Sequence, residues 1–365
     1  MNTMSVTRTT TTSAGPTLTS VTHVGRLVVR YGLISLLVLI VGRTTITSMV
    51  AYWKATHPPP PPPPTVGFGI LPPLRFPDNN SASSVTSYTL ETPTGKAPVF
   101  GDRAKVLLML RSAPSLLADE RAKAFAATYG FVFAPEALGT DMYRWTRTQP
   151  LLSTLDLNIN TYHFDFTTNF LSRPELVVNA SLPSGYEAVT KVKSFLSLTD
   201  LLPRDVATVA GEIVYLKSLG GELATAVSES DADYIQVDIN RNPIDNQFRM
   251  YTPEGYTGII SAILAANLTD KDSIVQLKYN YNTLDYTQVH TYPIRSAQSA
   301  WQLLQGGQGF VLQPPASGKA VIRSITMGYY DDFEEQSFLQ PIYVFEGDEN
   351  FLGYIPAVDP QYIQK

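Results

Sequence analysis

Ser296–Gly307 reads SAQSAWQLLQGG, and KAVIRSITMGYY (Lys319–Tyr330), FLQPIYVFEG (Phe338–Gly347) and FLGYIPAV (Phe351–Val358) follow it. In the first segment Ala297, Ala300, Trp301 and Leu304 recur at i, i+3, i+4 and i+7, the spacing of one helix face. Gly306 and Gly307 then stop the helix. The three segments after it read as a strand meander. A helix succeeded by several strands belongs to an α+β fold, because a doubly wound sheet alternates strands and helices singly. The stripe predicts that the helix packs on the C-terminal sheet, with Trp301 buried and Gln302 and Gln305 facing water.

The same order recurs upstream. Leu116–Tyr129 is predicted helical, since Ala118, Ala122, Phe125, Ala126 and Tyr129 keep the 3.6-residue period before Gly130. MYRWTR, LDLNIN and TYHFDF then alternate in twos, with Tyr162, Phe164 and Phe166 on one face. Gly185–Leu196 repeats the helical pattern through Val189, Val192, Phe195 and Leu196. GEIVYLK and GELATAV follow, joined at Gly220-Gly221, a dipeptide suited to a tight hairpin. DYIQVDINR, TGIISAILA, SIVQLKYNY and TQVHTYPI continue the alternation. Ser87–Leu90 is a short strand, and Asp102 is read as the cap of a helix through Val106, Leu107 and Leu110. The folded part thus divides into a first α+β unit, 85–183, and a second, 184–365.

Residues 31–64, YGLISLLVLIVGRTTITSMVAYWKATHPPPPPPP, separate this part from the N-terminus. Tyr31–Trp53 approaches the roughly 20 apolar residues that a membrane-crossing helix needs. Arg43 is long enough to snorkel, and Tyr52, Trp53 and Lys54 match an interfacial belt. Arg8, Arg26 and Arg30 precede the span with no Asp or Glu between Met1 and Tyr31. The positive-inside rule therefore places the N-terminus in the cytoplasm and the remainder outside. Residues 1–30, rich in Thr and Ser, are expected to be a disordered cytoplasmic tail. Residues 54–84 form a proline-rich spacer, whose Pro58–Pro64 run favours an extended strut of about 20 Å. Phe68, Ile70, Leu71, Leu74 and Phe76 are apolar enough to dock on the domain as an irregular strap.

Composition excludes several chemistries. The net charge of −5 and the lack of a basic stripe give no case for nucleic acid. Cysteine is absent, which removes disulfides, thiolate metal sites and a cysteine nucleophile. Asn79, Asn179 and Asn267 lie in sequons. No H-E-x-x-H, G-x-S-x-G or P-loop pattern occurs. Of the four histidines, His23 and His57 lie outside the folded part, and His163 and His290 sit in alternating strands. Gly306, Gly307 and Gly309 follow a helix, the wrong order for a phosphate loop. Two acidic loops, residues 229–233 and 331–335, have the oxygen ligands a cation needs but not the spacing of a Ca²⁺ loop. Both are expected to be solvated turns. No catalytic, cofactor or metal residue is singled out, and no cofactor is called.

The C-terminal pattern of Ser296, Ala297, Ala300, Trp301 and Leu304 continues through Ile325, Gly328, Tyr329, Tyr330, Leu339, Gln340, Pro341, Tyr343, Phe345 and Gly347. It resembles the C-terminal part of the YycH/YycI regulatory proteins. The whole chain also looks like an uncharacterised bacterial envelope-protein family. The YycH/YycI resemblance implies PepSY-like units behind a single transmembrane helix and a partner that is a membrane sensor kinase. The function expected is a non-catalytic, membrane-anchored module, at the plasma membrane, that contacts another envelope protein or a ligand. The alternatives are a wall-spanning structural component and a hydrolase without a visible motif.

Overall fold

The computed structural model describes residues 18–57, 62–78, 81–178, 181–268 and 270–364. The expectations for residues 1–17, Pro58–Pro61 and the sequons at Asn79 and Asn179 lie outside the described residues.

Helix α1 (Leu18–Thr56) has 39 residues. It is long and apolar enough to cross a membrane by length and composition. Its start corrects the expected tail of residues 1–30, since 18–30 are helical. Val21, Val24, Leu27, Val28 and Val29 carry the apolar character upstream of Tyr31, and no proline interrupts them. Thr44, Thr45 and Thr47 turn their hydroxyls back onto carbonyls of the preceding turn, at 2.8–2.9 Å. Those bonds satisfy polar groups that hydrocarbon would leave unpaired. At about 1.5 Å per residue the helix is about 58 Å long, nearly twice a hydrocarbon core of about 30 Å.

Pro64–Lys365 forms one compact unit. In chain order it begins with β1 (Ser87–Leu90), β2 (Arg103–Met109), α2 (Ala118–Thr128), β3 (Glu136–Ala137), β4 (Met142–Arg147), β5 (Ser153–Asn158) and β6 (Phe164–Thr168). Then come α3 (Gly185–Ser197), α4 (Arg204–Ala207), β7 (Glu212–Leu219), β8 (Glu222–Thr225), β9 (Tyr234–Ile239), β10 (Met250–Tyr251), β11 (Ile260–Ala265), β12 (Ile274–Tyr279) and β13 (Leu284–Pro293). The chain ends with α5 (Ala297–Gln305), β14 (Phe310–Gln313), β15 (Lys319–Tyr330), β16 (Phe338–Gly347) and β17 (Leu352–Pro356).

The strands make two sheets, so the class is α+β. One is a nine-stranded sheet in the order β3-β4-β5-β6-β12-β11-β9-β7-β8, antiparallel at every pairing. Helices α2 and α3 cover one face of it. Phe125, Val192 and Phe195 pack there on Leu155, Leu157, Phe166 and Leu277. The capping box at Ser184 and Glu187 starts α3, and Gly220 and Gly221, with φ of 63° and 89°, turn β7 into β8. The eight-stranded sheet runs β1-β15-β16-β17-β14, with β2, β10 and β13 branching from it. Helix α5 lies on it through Ala297, Ala300, Trp301 and Leu304, which join Ile322, Phe345 and Ile355 in one buried cluster. Trp301 is 5% exposed. Gln302 and Gln305 are exposed, as the stripe requires.

Two expectations fail here. The helix from Asp102 is strand β2, paired with β13 on one side and β16 on the other. A central strand can be apolar on both faces, so Val106–Met109 has no alternation to distinguish it from a helix. The boundary at 183/184 does not separate the sheets either. Strand β6 pairs with β12, and β2 with β13 and β16, so both sheets draw on both sides of it. Joined edges remove the unpaired strand that each unit alone would expose.

The later part of the expected spacer is a strap on the domain. Leu71 is fully buried and pairs in parallel with Ile363. Phe76 stacks on Phe310 at 5.1 Å and meets Tyr330 edge-on at 4.9 Å. Gly67 lies so close to the His290 ring that any Cβ there would collide with it. Ile70 remains exposed.

Candidate functional site

On the face of the nine-stranded sheet away from α2 and α3, Leu216, Tyr234, Ile263 and Val275 bury against Phe170 and Leu176, whereas the part over β4–β6 is polar because the strands alternate. Leu155 and Leu157 point to the helices, and Asp156 and Asn158 to the other side. This polar surface, the strap and the segment after β15 line an open cleft of ≈ 1060 Å³. The strap contributes Pro72–Pro77, and the segment after β15 contributes Asp332–Phe338 with Gln340. Carboxylates of Asp141, Asp156, Asp165, Glu254, Asp332, Glu334 and Glu335 face it, against the cations Arg75, Arg111 and Lys278. Phe76, Phe333 and Phe338 supply apolar surface between them.

A row of charge crosses the strands along this surface. Arg144 stands opposite Asp156, Asp156 opposite Asp165, and Asp165 opposite Lys278. Arg144 donates to both carboxylate oxygens of Asp156 at 2.6 Å. Lys278 turns away to Glu254 at 3.4 Å. Asp165 accepts the Thr167 hydroxyl at 2.9 Å and, among the described residues, forms no ion pair. Like charges directly opposite each other destabilise an antiparallel pair. Asp165 is exposed, so the cleft faces it.

The loop 331–335 corrects the expectation of a solvated turn. Asp331 is fully buried and accepts from Nε of Arg241 at 2.7 Å, both side chains being 0% exposed. Arg241 also donates to Asp205 at 3.0 Å and to the Asn282 carbonyl, and lies over the Tyr281 ring at 4.3 Å. Burial works against the Arg241 charge but is outweighed by its attraction to Asp331. Burial pushes the Asp331 carboxyl above its ordinary range, and Arg241 opposes that rise. The pair joins the end of the nine-stranded sheet to the end of β15. Asn282 fixes the rest of the loop by donating to the carbonyls of Asp332 (3.4 Å) and Glu334 (3.2 Å). Glu335 accepts the Ser112 backbone N–H at 2.9 Å. Asp332 is pushed up to about 6 by burial, against the pull of the Glu334 and Phe333 backbone N–H groups.

His163 lines the cleft beside this loop. Burial draws its pKa below the ordinary value, against the Tyr281 carbonyl and the Asn282 side chain. Its Nε2 and Oδ1 of Asp331 are both buried without a hydrogen-bond partner. The other acidic loop is a surface turn: Asp231 pairs with Lys217, and Asp233 accepts the Ser218 N–H at 2.9 Å. Among the described residues no group of three or more His, Asp or Glu is placed to hold a metal. His290 serves the strap, taking the edge of Phe68 at 4.6 Å. Gly307, with a φ of 72°, follows α5 as its terminator. Trp301 is core. Sequence reasoning did not weigh Arg241 or Asp165; Arg241 stands between Asn240 and Asn242, which gives no local signal of burial.

No family model and no curated protein matches this chain. A crystal structure of an uncharacterized protein from Eubacterium rectale ATCC 33656 is similar at a TM-score of 0.34 and 12% identity, covering 71% of this chain and 84% of that one. A likeness of that degree carries no argument about fold or function.

Proposed function

We propose that this chain is a membrane-anchored, extracytoplasmic binding or regulatory module that engages another envelope protein or a ligand through the cleft between its sheets. The reading rests on one observation: a cleft of ≈ 1060 Å³ in which mixed charged and aromatic side chains converge from the strap and from both sheets. Helix α1 supplies the single span, and the arginines before Tyr31 support a cytoplasmic N-terminus. The stripe of α5 on the C-terminal sheet is compatible with a PepSY/YycI-like unit, and a sensor kinase remains the partner that resemblance implies. Two measurements test the proposal. Protease added to intact spheroplasts should remove the part after Lys54; its protection until lysis overturns the topology. A photo-crosslinker at Phe333 should capture one stoichiometric partner that a crosslinker at Val227 does not.

Asp332 favours a second reading. A carboxyl lifted to about 6 inside an acid-lined cleft has the character of a general acid for glycan hydrolysis. Release of reducing ends from envelope polysaccharide, abolished by Asp332→Asn, selects that reading.

A further inference from the structure

We infer that the cleft takes a cationic segment of a partner protein, an extended peptide that places a lysine or arginine over Asp165. The inference rests on the binding reading above and names the chemistry of what binds. Two observations converge on it. The cleft's carboxylates outnumber its cations, and its aromatic rings suit the methylene stem of a lysine or the plane of an arginine. Asp156 and Asp165 stand opposite each other across β5 and β6, and only Asp156 has a bidentate cation of its own. An ammonium has three donors and no acceptor, and a guanidinium five.

The neighbouring cations do not fill the role. Arg144 is committed to Asp156, and Lys278 points to Glu254. A repulsive cross-strand pair is therefore held in the free protein and relieved when a cation arrives. Asp165 lowers the stability of the unliganded domain and raises affinity for the ligand, so substitution moves the two properties in opposite directions. A purely structural aspartate moves the melting temperature down and leaves affinity alone.

The test uses the full chain in detergent micelles and a fluorescent oligolysine peptide, with oligoglutamate and a neutral Gly/Ser peptide of equal length as comparators. Oligolysine should bind, weaken with added salt, and lose about tenfold in affinity with Asp165→Asn. The same variant should melt higher than the parent. Glu229→Gln, an equal loss of charge outside the cleft, should leave binding unchanged. Equal binding of the neutral peptide, an equal loss with Glu229→Gln, or a lower melting temperature for Asp165→Asn each overturns the inference. So does saturable Ca²⁺ binding that Asp165→Asn abolishes while oligolysine fails to bind. Capture of a partner at Phe333 that survives Asp165→Asn rejects the cationic class and leaves the binding module standing. Capture that no cleft substitution changes rejects the cleft itself.

Discussion

The loops at residues 229–233 and 331–335 look alike as sequence: short runs of carboxylates between strands. In the folded chain one is a surface turn beside Lys217, and the other sends Asp331 into a buried pair with Arg241. The difference lies in what the topology brings beneath each loop. Lys217 is 14 residues from Asp231, across a local hairpin, whereas Arg241 is 90 residues from Asp331 and arrives from the other sheet. A carboxylate run is thus read by its partner, and a distant partner is invisible to a local window.

The largest effect expected from this contrast is at Arg241. Arg241→Ala leaves Asp331 buried and unpaired, at a cost of about 3–5 kcal/mol. That is the range for truncating Trp301 in the core, whereas Gln302→Ala should change stability by less than about 0.5 kcal/mol. Urea denaturation measures each. The double substitution Arg241→Met, Asp331→Leu should recover part of the loss, since Asp331 no longer leaves a charge buried while Asp205, 11% exposed, keeps only the hydroxyls of Tyr281 and Tyr286. A double variant as unstable as Arg241→Ala would mean that shape, not charge, decides this junction.

A smaller effect is expected at Asp332, and its sign depends on pH. The folded-state pKa is about 6 against an ordinary 3.8. Protonation therefore favours the folded form, and this contribution is complete below 3.8 and lost as pH rises through about 6. Asp332→Asn should be more stable than the parent at pH 7, by on the order of 1 kcal/mol after solvent screening. The advantage should vanish near pH 3.8. A difference that stays constant between those pH values removes Asp332 from the strained side of the comparison.

The smallest effect belongs to the surface loop. Lys217 and Asp231 are 36% and 41% exposed, so Lys217→Ala should cost no more than about 1 kcal/mol and less in high salt. A loss equal to that of Arg241→Ala would erase the distinction between the loops.

Much of the architecture was legible where the signal is local. The α5 stripe, the Gly220-Gly221 turn and the two-residue alternation of β4–β6 all report on neighbours within a few residues. The strap was legible for the same reason, as apolar side chains in a segment with no other place to bury them. Arg103–Met109 was not, because the alternation of Arg103 and Lys105 with Ala104 and Val106 is lost in the apolar run that follows. The cleft was illegible for a different reason. Asp156, Asp165, Lys278 and Asp332 come from separate stretches of chain, and only strand register sets them side by side.

The strap has a mechanical consequence. Leu71 donates its N–H to the Tyr362 carbonyl and accepts from the Gln364 N–H, both at 2.8 Å, beside a parallel bridge to Ile363. In this parallel contact Leu71 is pulled from its N-terminal side and Ile363 is held by the domain from its own N-terminal side, so both are loaded at the same end and the two hydrogen bonds are peeled in turn. The next residues on that path are Pro72–Pro77, a wall of the cleft. Tension entering the domain at Pro64 meets the bonds of Thr65 and Val66 to Thr291 first and this bridge second, so both stand between the proline run and the mouth of the binding site.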